Sequence, residues 1–311
     1  TQLAAAVISR LKIMADLDIA ERRLPQDGRI RLQLQDRDVD VRVSTVPTLH
    51  GESVVLRLLD GNRGLLTLES LGMSASMLAS FREILTAPHG IVLVTGPTGS
   101  GKTTTLYAAV EMLRTGREKI LTVEDPIEYE LGVPQLPVNE KVGVTFASAL
   151  RALLRQDPDI MLVGEIRDAE TAEIATQAAL TGHLVLSTLH TNDAPSALTR
   201  LLDLGVAPFL VASTVQAVVA QRLVRRVCDR CRGGGCAECR SSGFRGRIGI
   251  YELLTVNAEI RKALLDGADA DGLRRCMISS GAITLGEDGE RQVGEGLTTA
   301  DELRRVVGRS Y

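Results

Sequence analysis

Val94 to Thr105 reads VTGPTGSGKTTT. Residues 90–94, GIVLV, form a continuous apolar run ahead of it, and a helical stretch follows. Gly96, Pro97, Thr98, Gly99, Ser100, Gly101, Lys102 and Thr103 fit the pattern G-x-x-x-x-G-K-[ST] in the strand-to-helix setting it requires. Glycines let backbone N–H groups turn inward around anionic oxygens, and the helix N-terminus adds its positive end. Lys102 is expected to reach the β- and γ-phosphates, and the Thr103 hydroxyl to ligate Mg²⁺, with Thr104 behind it in the first helical turn. A plain glycine-rich turn would not need the lysine or the flanking elements. The loop predicts nucleoside triphosphate binding, but pumps, motors, kinases and switches share it.

The fold follows from its neighbours. KILTVED, DIMLVGE and HLVLSTLH are further short apolar runs closed by polar or acidic ends, with helical stretches between them. Such alternation predicts an α/β fold, a mostly parallel sheet covered on both faces. Ligands in such sheets bind at the C-terminal strand ends. TVEDPIEYE places Glu124, Asp125 and Glu128 at one end, and Glu165 closes another after Gly164. One acid is needed to hold Mg²⁺ or its water, and one to orient or deprotonate the attacking water. Glu165 stands where the motif usually has an Asp; singly, each of these carboxylates could be a solvated cap. His183 precedes one strand and His190 follows it, ahead of Thr191, Asn192 and Asp193. His190 could sense the γ-phosphate through a hydrogen bond, or be a satisfied structural residue.

The chain has 311 residues, a net charge of −3, 44 % apolar content and 3 % aromatic content with no Trp. These values suit a globular protein of two or three domains. They give no global basic excess and few rings for a single-strand stacking platform, so no nucleic acid is expected. No apolar run is long enough to span a bilayer. Leu3 to Leu17 reads as an amphipathic helix with Leu3, Val7, Ile8, Leu11 and Met14 on one stripe. A chain opening inside a helix is expected to lack an N-terminal domain. Residues 29–46, RIRLQLQDRDVDVRVSTV, alternate as strands with a turn near Gln35–Asp38, and GESVVLRLLD is another strand. Past Cys239 the chain reads as helical.

Cys228, Cys231, Cys236 and Cys239 form two C-x-x-C pairs, for which a tetrahedral Zn²⁺ site is the default reading and a redox pair the rival. Cys276 reads as a small core residue. Residues 221–250 carry eight Arg against two acids. That is either a face toward anionic headgroups or an acidic partner, or simply a solvated surface.

GPTGSGKTTT, TVEDPIEY, RQDPDIMLVGEIRD and TGHLVLSTLHTNDA, in this order, resemble the Walker A, Asp box, Walker B and His box of the secretion ATPase superfamily, which drives type II secretion and type IV pili. DIAERRLPQDGRI, DVRVSTVPTLHGESVVLRLLD, AQRLVRRVC and GFRGRIGIYELL extend the resemblance over nearly the whole chain. VNEKVGVTFASALRALLRQDP is most similar to the type II branch, with pilus assembly ATPases the alternative. The resemblance implies a RecA-like ATPase domain (63–227), a smaller N-terminal α+β domain (1–62), a tetracysteine segment (228–250) and a C-terminal helical segment (251–311). It implies a hexameric ring that hydrolyses ATP with Mg²⁺, sits in the cytoplasm at the inner membrane and works on inner-membrane secretion platform proteins. By position Glu128 resembles the catalytic glutamate, Glu165 the Walker B glutamate and His190 the His-box residue. Arg42 and Arg57, with Arg151 and Arg155, resemble the arginines that clamp phosphates, the bland alternative being surface pairs. One departure stands out: the family separates its two cysteine pairs by a long insert, whereas only Arg232 to Gly235 intervene here. The short spacer marks a distinct branch or an engineered deletion. Rival readings from other classes are a nucleic-acid translocase and a scaffold that nucleotide only stabilises.

Overall fold

The computed structural model describes residues 2–34, 37–60 and 66–308. It divides into two units, Thr1–Gly64 with Glu128–Glu130, and Leu65–Ile127 with Leu131–Tyr311.

The first unit holds α1 (Gln2–Met14), β1 (Gln26–Leu34), β2 (Arg37–Thr48) and β3 (Gly51–Asp60). The strands pair antiparallel in the order β1-β2-β3. Alternation works as the residues predict: Val41, Val43 and Ile30 turn inward against Ala15, leaving Arg42 on the other face. Of the turn expected near Gln35–Asp38, residues 35 and 36 lie outside the described residues, as do residues 61–65 of the stretch leading to the second unit. The α1 stripe is used only at its C-terminal end. Leu11 packs on the small core while Leu3, Val7 and Met14 stay exposed. The sheet meets only the last turns of the helix, where buried Lys12 pairs with Glu52 and donates to the Glu21 carbonyl at 2.8 Å.

The second unit begins with a 3-10 turn (Leu68–Leu71) and α2 (Ala75–Leu85). Then come β4 (Gly90–Thr95), α3 (Lys102–Leu113), β5 (Ile120–Glu124), β6 (Gln135–Pro137), α4 (Phe146–Leu154), β7 (Ile160–Val163), α5 (Ala169–Leu180) and β8 (Leu184–Leu189). After these come α6 (Ala194–Asp203), α7 (Pro208–Thr214), β9 (Val215–Val227) and β10 (Phe244–Thr255). Four helices end the described chain: α8 (Ala258–Leu265), α9 (Ala270–Ser279), α10 (Leu285–Gly294) and α11 (Ala300–Val307). The seven strands run β10-β9-β4-β8-β7-β5-β6, parallel except for β10. Every residue of β4, β5, β7 and β8 is buried, which explains their unbroken apolar sequences.

One consequence of this order matters for the site. β8 lies between β4 and β7, so its exit falls between the phosphate loop and Glu165. β10 corrects the expectation that the chain turns helical past Cys239. Residues 249–254 of this strand are buried on both faces and residues 245–247 are exposed and arginine-rich, so no alternation marks it as a strand. Asp168, Asp193 and Asp269 cap α5, α6 and α9 through their carboxylates, and Thr284 caps α10 in a capping box with Glu287. Among the described residues no helix is long and apolar enough to cross a membrane.

Candidate functional site

The phosphate loop leaves β4 at Thr95 and enters α3 at Lys102. Gly96 has φ +149° and Gly101 φ +91°. A Cβ on Gly96 would sit 2.4 Å from the Gln221 carbonyl oxygen, so that position excludes any side chain on two counts. The Lys102 side chain folds into the loop and donates to the carbonyls of Gly96 at 2.8 Å and Pro97 at 3.2 Å. Burial pushes its pKa down, and nearby Arg222 adds to this, while Glu165 acts in the opposite direction. Ser100 Oγ is buried without a hydrogen-bond partner. An orphaned hydroxyl and an inward lysine at the N-terminus of α3 suit a phosphate chain.

Glu165 is nearly buried, and backbone pairing places it. The Gly164 N–H donates to Val123 O at 2.8 Å, and Thr188 Oγ1 donates to Gly164 O at 2.7 Å. Its Oε1 pairs with Arg167 at 2.6 Å; Oε2 has no hydrogen bond and stands 3.3 Å from His190 Nε2. Glu165 raises the Arg167 pKa, with Asp125 and Glu140 adding to the effect. The His190 loop is tied to the phosphate strand as well: Thr95 Oγ1 lies 2.7 Å from Thr191 Oγ1 and accepts the Thr191 N–H at 2.9 Å. Lys102, Glu165 and His190 thus lie around adjacent strand ends of one sheet. The free carboxylate oxygen of Glu165, with the Thr103 hydroxyl at the first turn of α3, fits a Mg²⁺ site of hard oxygen donors.

Two residues near the loop lie in AQRLVRRVC, a stretch that carries the resemblance, but no motif gave them a role. Arg222 donates to the Asn192 carbonyl at 2.7 Å and to the Gln221 carbonyl at 3.1 Å, joining the His190 loop to the strand beneath Gly96. Gln221 is buried and accepts from Thr105 at 2.7 Å. Both belong to β9, whose link to the loop is purely spatial.

The other expected residues divide. Glu124 is consumed internally by Tyr107, Thr122 and Gln135. Arg151 pairs with Glu170 at 2.7 Å on an exposed face, and Arg155 donates to the Arg151 carbonyl at 3.0 Å. His183 bonds the Ala178 carbonyl and Thr181 at the end of α5. Glu128, Arg42 and Arg57 belong to the first unit, where Arg42 and Arg57 stand directly opposite each other on β2 and β3. Cys276 packs against the main core.

The four cysteines converge. Their sulfurs lie within 4.8 Å of one another, with Cys228–Cys236 at 3.9 Å and Cys231–Cys239 and Cys236–Cys239 at 3.7 Å. Tetrahedral bonds of about 2.3 Å set sulfurs about 3.8 Å apart, so the set fits zinc. All four are free thiols. The Cys236 N–H pulls Cys239 down to about 6 and the Cys231 N–H lowers Cys228, whereas burial raises Cys231 to about 11. The four-residue spacer closes because Gly233 and Gly235 take φ of +93° and +84°, and a Cβ on Gly243 would meet the Gly233 carbonyl at 2.6 Å.

Comparison with known proteins gives the family. Residues 1–305 match the model of the type II/IV secretion system protein family. The chain is 58 % identical to the type II secretion system protein HxcR of Pseudomonas aeruginosa, covering 98 % of this chain and 67 % of that protein. It is 49 % identical to the type II secretion system ATPase E of Vibrio cholerae, covering 99 % of this chain and 66 % of that one. The chain therefore spans about two thirds of the length of these relatives. Among solved structures, the pilus retraction motor PilT with bound ADP superposes with TM-score 0.72 at 28 % identity, covering 91 % of this chain and 77 % of that one. The Legionella pneumophila ATPase DotB gives TM-score 0.72 at 23 % identity over 91 % of this chain and 77 % of that one, a likeness of fold. With residues 1–305 of the chain matching the family model and relatives at about half identity, the chain belongs to the type II/IV secretion system protein family.

Proposed function

We propose that this chain is the ATP-hydrolysing motor part of a type II protein secretion machine. The observation that carries the reading is the meeting of Glu165 and His190 beside the strand that ends in the Lys102 loop. The names of the relatives support the biological setting. ATP is the substrate, its phosphates received by backbone N–H groups of the loop at residues 96–104, Pro97 apart, and by Lys102. Thr103 and Glu165 would hold Mg²⁺, which when bound neutralises phosphate charge. Glu165 or Glu128 orients the attacking water, and His190 registers the state of the γ-phosphate. Arg42, Arg57, Arg151 and Arg155 join this set on the strength of the motifs alone. Their fixed guanidinium forks suit a phosphoryl group gathering charge.

The proposal extends to a hexameric ring at the cytoplasmic face of the inner membrane, acting on platform proteins there, and to zinc as a structural ion held by Cys228, Cys231, Cys236 and Cys239. It keeps the domain divisions at 62/63, 227/228 and 250/251. A type IV pilus assembly ATPase is the second reading; the likeness to PilT, a pilus retraction motor, supports a pilus setting without assigning assembly. Phosphate release measured against protein concentration, with and without anionic vesicles or DNA, tests the class. The motor reading expects a specific rate that climbs steeply with concentration and ignores DNA. Stimulation by DNA would favour a translocase, and tight ATP binding without turnover a scaffold.

A further inference from the structure

Glu252 sits in the middle of β10 with no exposed surface. One carboxylate oxygen accepts the Ala194 N–H at 2.9 Å, and the other accepts the Leu285 N–H at 3.4 Å. Ala194 opens α6 and Leu285 opens α10, so one buried carboxylate serves two helix N-termini, whose positive ends favour it. Arg274 of α9 completes the group, 2.8 Å from Asp193 and 3.9 Å from Glu252. Asp193 in turn caps α6 at the Ser196 N–H, 2.8 Å away.

Stability alone is a poor reason for this arrangement. Burial pushes the Glu252 pKa up, and Asp193 pushes the same way, while the Ala194 N–H and Arg274 pull it down. Well-packed apolar residues often replace such buried pairs without loss. Position supplies a better reason. Ala194 follows His190 by four residues, and the intervening loop is held on its other side by Thr95–Thr191 and Arg222–Asn192. The loop is therefore strung between the phosphate strand and the C-terminal helices. Next door, the Tyr251 N–H donates to Asp288 at 2.9 Å and Gln292 Nε2 donates to the Gly249 carbonyl at 2.5 Å, so α10 is pinned to β10 three times.

We propose that Glu252 is a positioning residue which, through Asp193 and Arg274, ties the His190 loop to α9 and α10 and carries a change at the phosphate loop into the C-terminal helices. This inference rests on the nucleotide reading above. It needs no new contact with substrate. It needs only that the loop cannot shift without either moving these helices or breaking a buried charge group.

Hydrogen exchange of the full chain, with and without the Mg²⁺ complex of a non-hydrolysable ATP analogue, tests it alongside steady-state kinetics. In the unaltered protein, nucleotide should change exchange at residues 96–104, 190–196 and 284–294. In Glu252→Gln the first two responses should persist and the third vanish, with KM within about twofold and kcat lowered about tenfold. Arg274→Gln, at a partly exposed position, should do the same without a fully buried substitution. An unchanged response at 284–294 in both variants would overturn the relay, as would a loss of kcat matched by an equal rise in KM. Protection at 96–104 with no response at 284–294 in the unaltered protein would overturn the relay alone. No protection at 96–104 would overturn the ATPase reading instead.

Discussion

His190 Nε2 stands 3.3 Å from Glu165 Oε2, while Arg167 takes the other oxygen of the same carboxylate at 2.6 Å. The histidine that closes β8 and the glutamate after β7 therefore stand within contact distance of one another. A γ-phosphate beside Glu165 would be felt at His190, and through Thr191 at the phosphate strand. His190→Ala should leave KM for ATP near its original value and lower kcat by roughly 10–100-fold. Steady-state kinetics would show this, and a change confined to KM would remove His190 from the sensing role.

Lys102 is held inside its loop by two carbonyls, which in the proposed site it would exchange for phosphate oxygens. Lys102→Ala should lower phosphate release by a factor of at least about 100, since the charge facing the transferred phosphoryl group is lost. Near-normal turnover in this variant would contradict the site.

Glu302 of α11 joins the C-terminal helices to the main sheet. It is buried and accepts the Arg225 N–H at 2.9 Å, and it pairs with Arg305 at 2.6 Å and Arg225 at 2.8 Å. The Arg305 hydrogen bond, helped by Arg225 and opposed by burial, pulls its pKa from 4.5 to about 2. A depressed carboxylate contributes stability that is present above the unfolded value and lost as pH falls through the folded one. Glu302→Gln should therefore lower stability at neutral pH by about 2 kcal/mol, a figure reduced for solvent screening around exposed Arg305. Denaturant titrations of both proteins should converge between pH 4.5 and about 2. A constant gap across that window would assign the effect to packing.

The tetracysteine centre predicts about one zinc per chain, and Cys239→Ser should abolish it and lower the melting temperature. Metal analysis of purified protein reads the first effect and a thermal melt the second. A metal content unaffected by the substitution would place the ion elsewhere.

Much of this was legible in the residues. Val94 to Thr105 declares strand, turn and helix in one stretch, and the burial of Ile91 to Val94 follows from their apolar run. The C-x-x-C pairs likewise announce a convergence that the sulfur distances bear out. Other parts were hidden for identifiable reasons. Glu124 looks like Glu165 in sequence, an acid at a strand end, yet its oxygens are taken by Tyr107, Thr122 and Gln135. Arg222 and Glu252 lie in stretches that carry the resemblance, but they meet Asn192 and Ala194 from strands 30 and 58 residues away, so the sequence does not show what they touch. β10 escapes because a strand buried on both faces and an apolar helix segment read alike over six residues.

In the proposed motor, Glu165 serves the hydrolysis of ATP bound at the Lys102 loop. The most direct measurement is ATP affinity and single-turnover cleavage in assembled Glu165→Gln, which keeps the side chain's shape and removes its charge. Affinity should stay within about threefold of the original, with cleavage slowed at least about 100-fold. Cleavage at close to the original rate, with ATP bound normally, would contradict it.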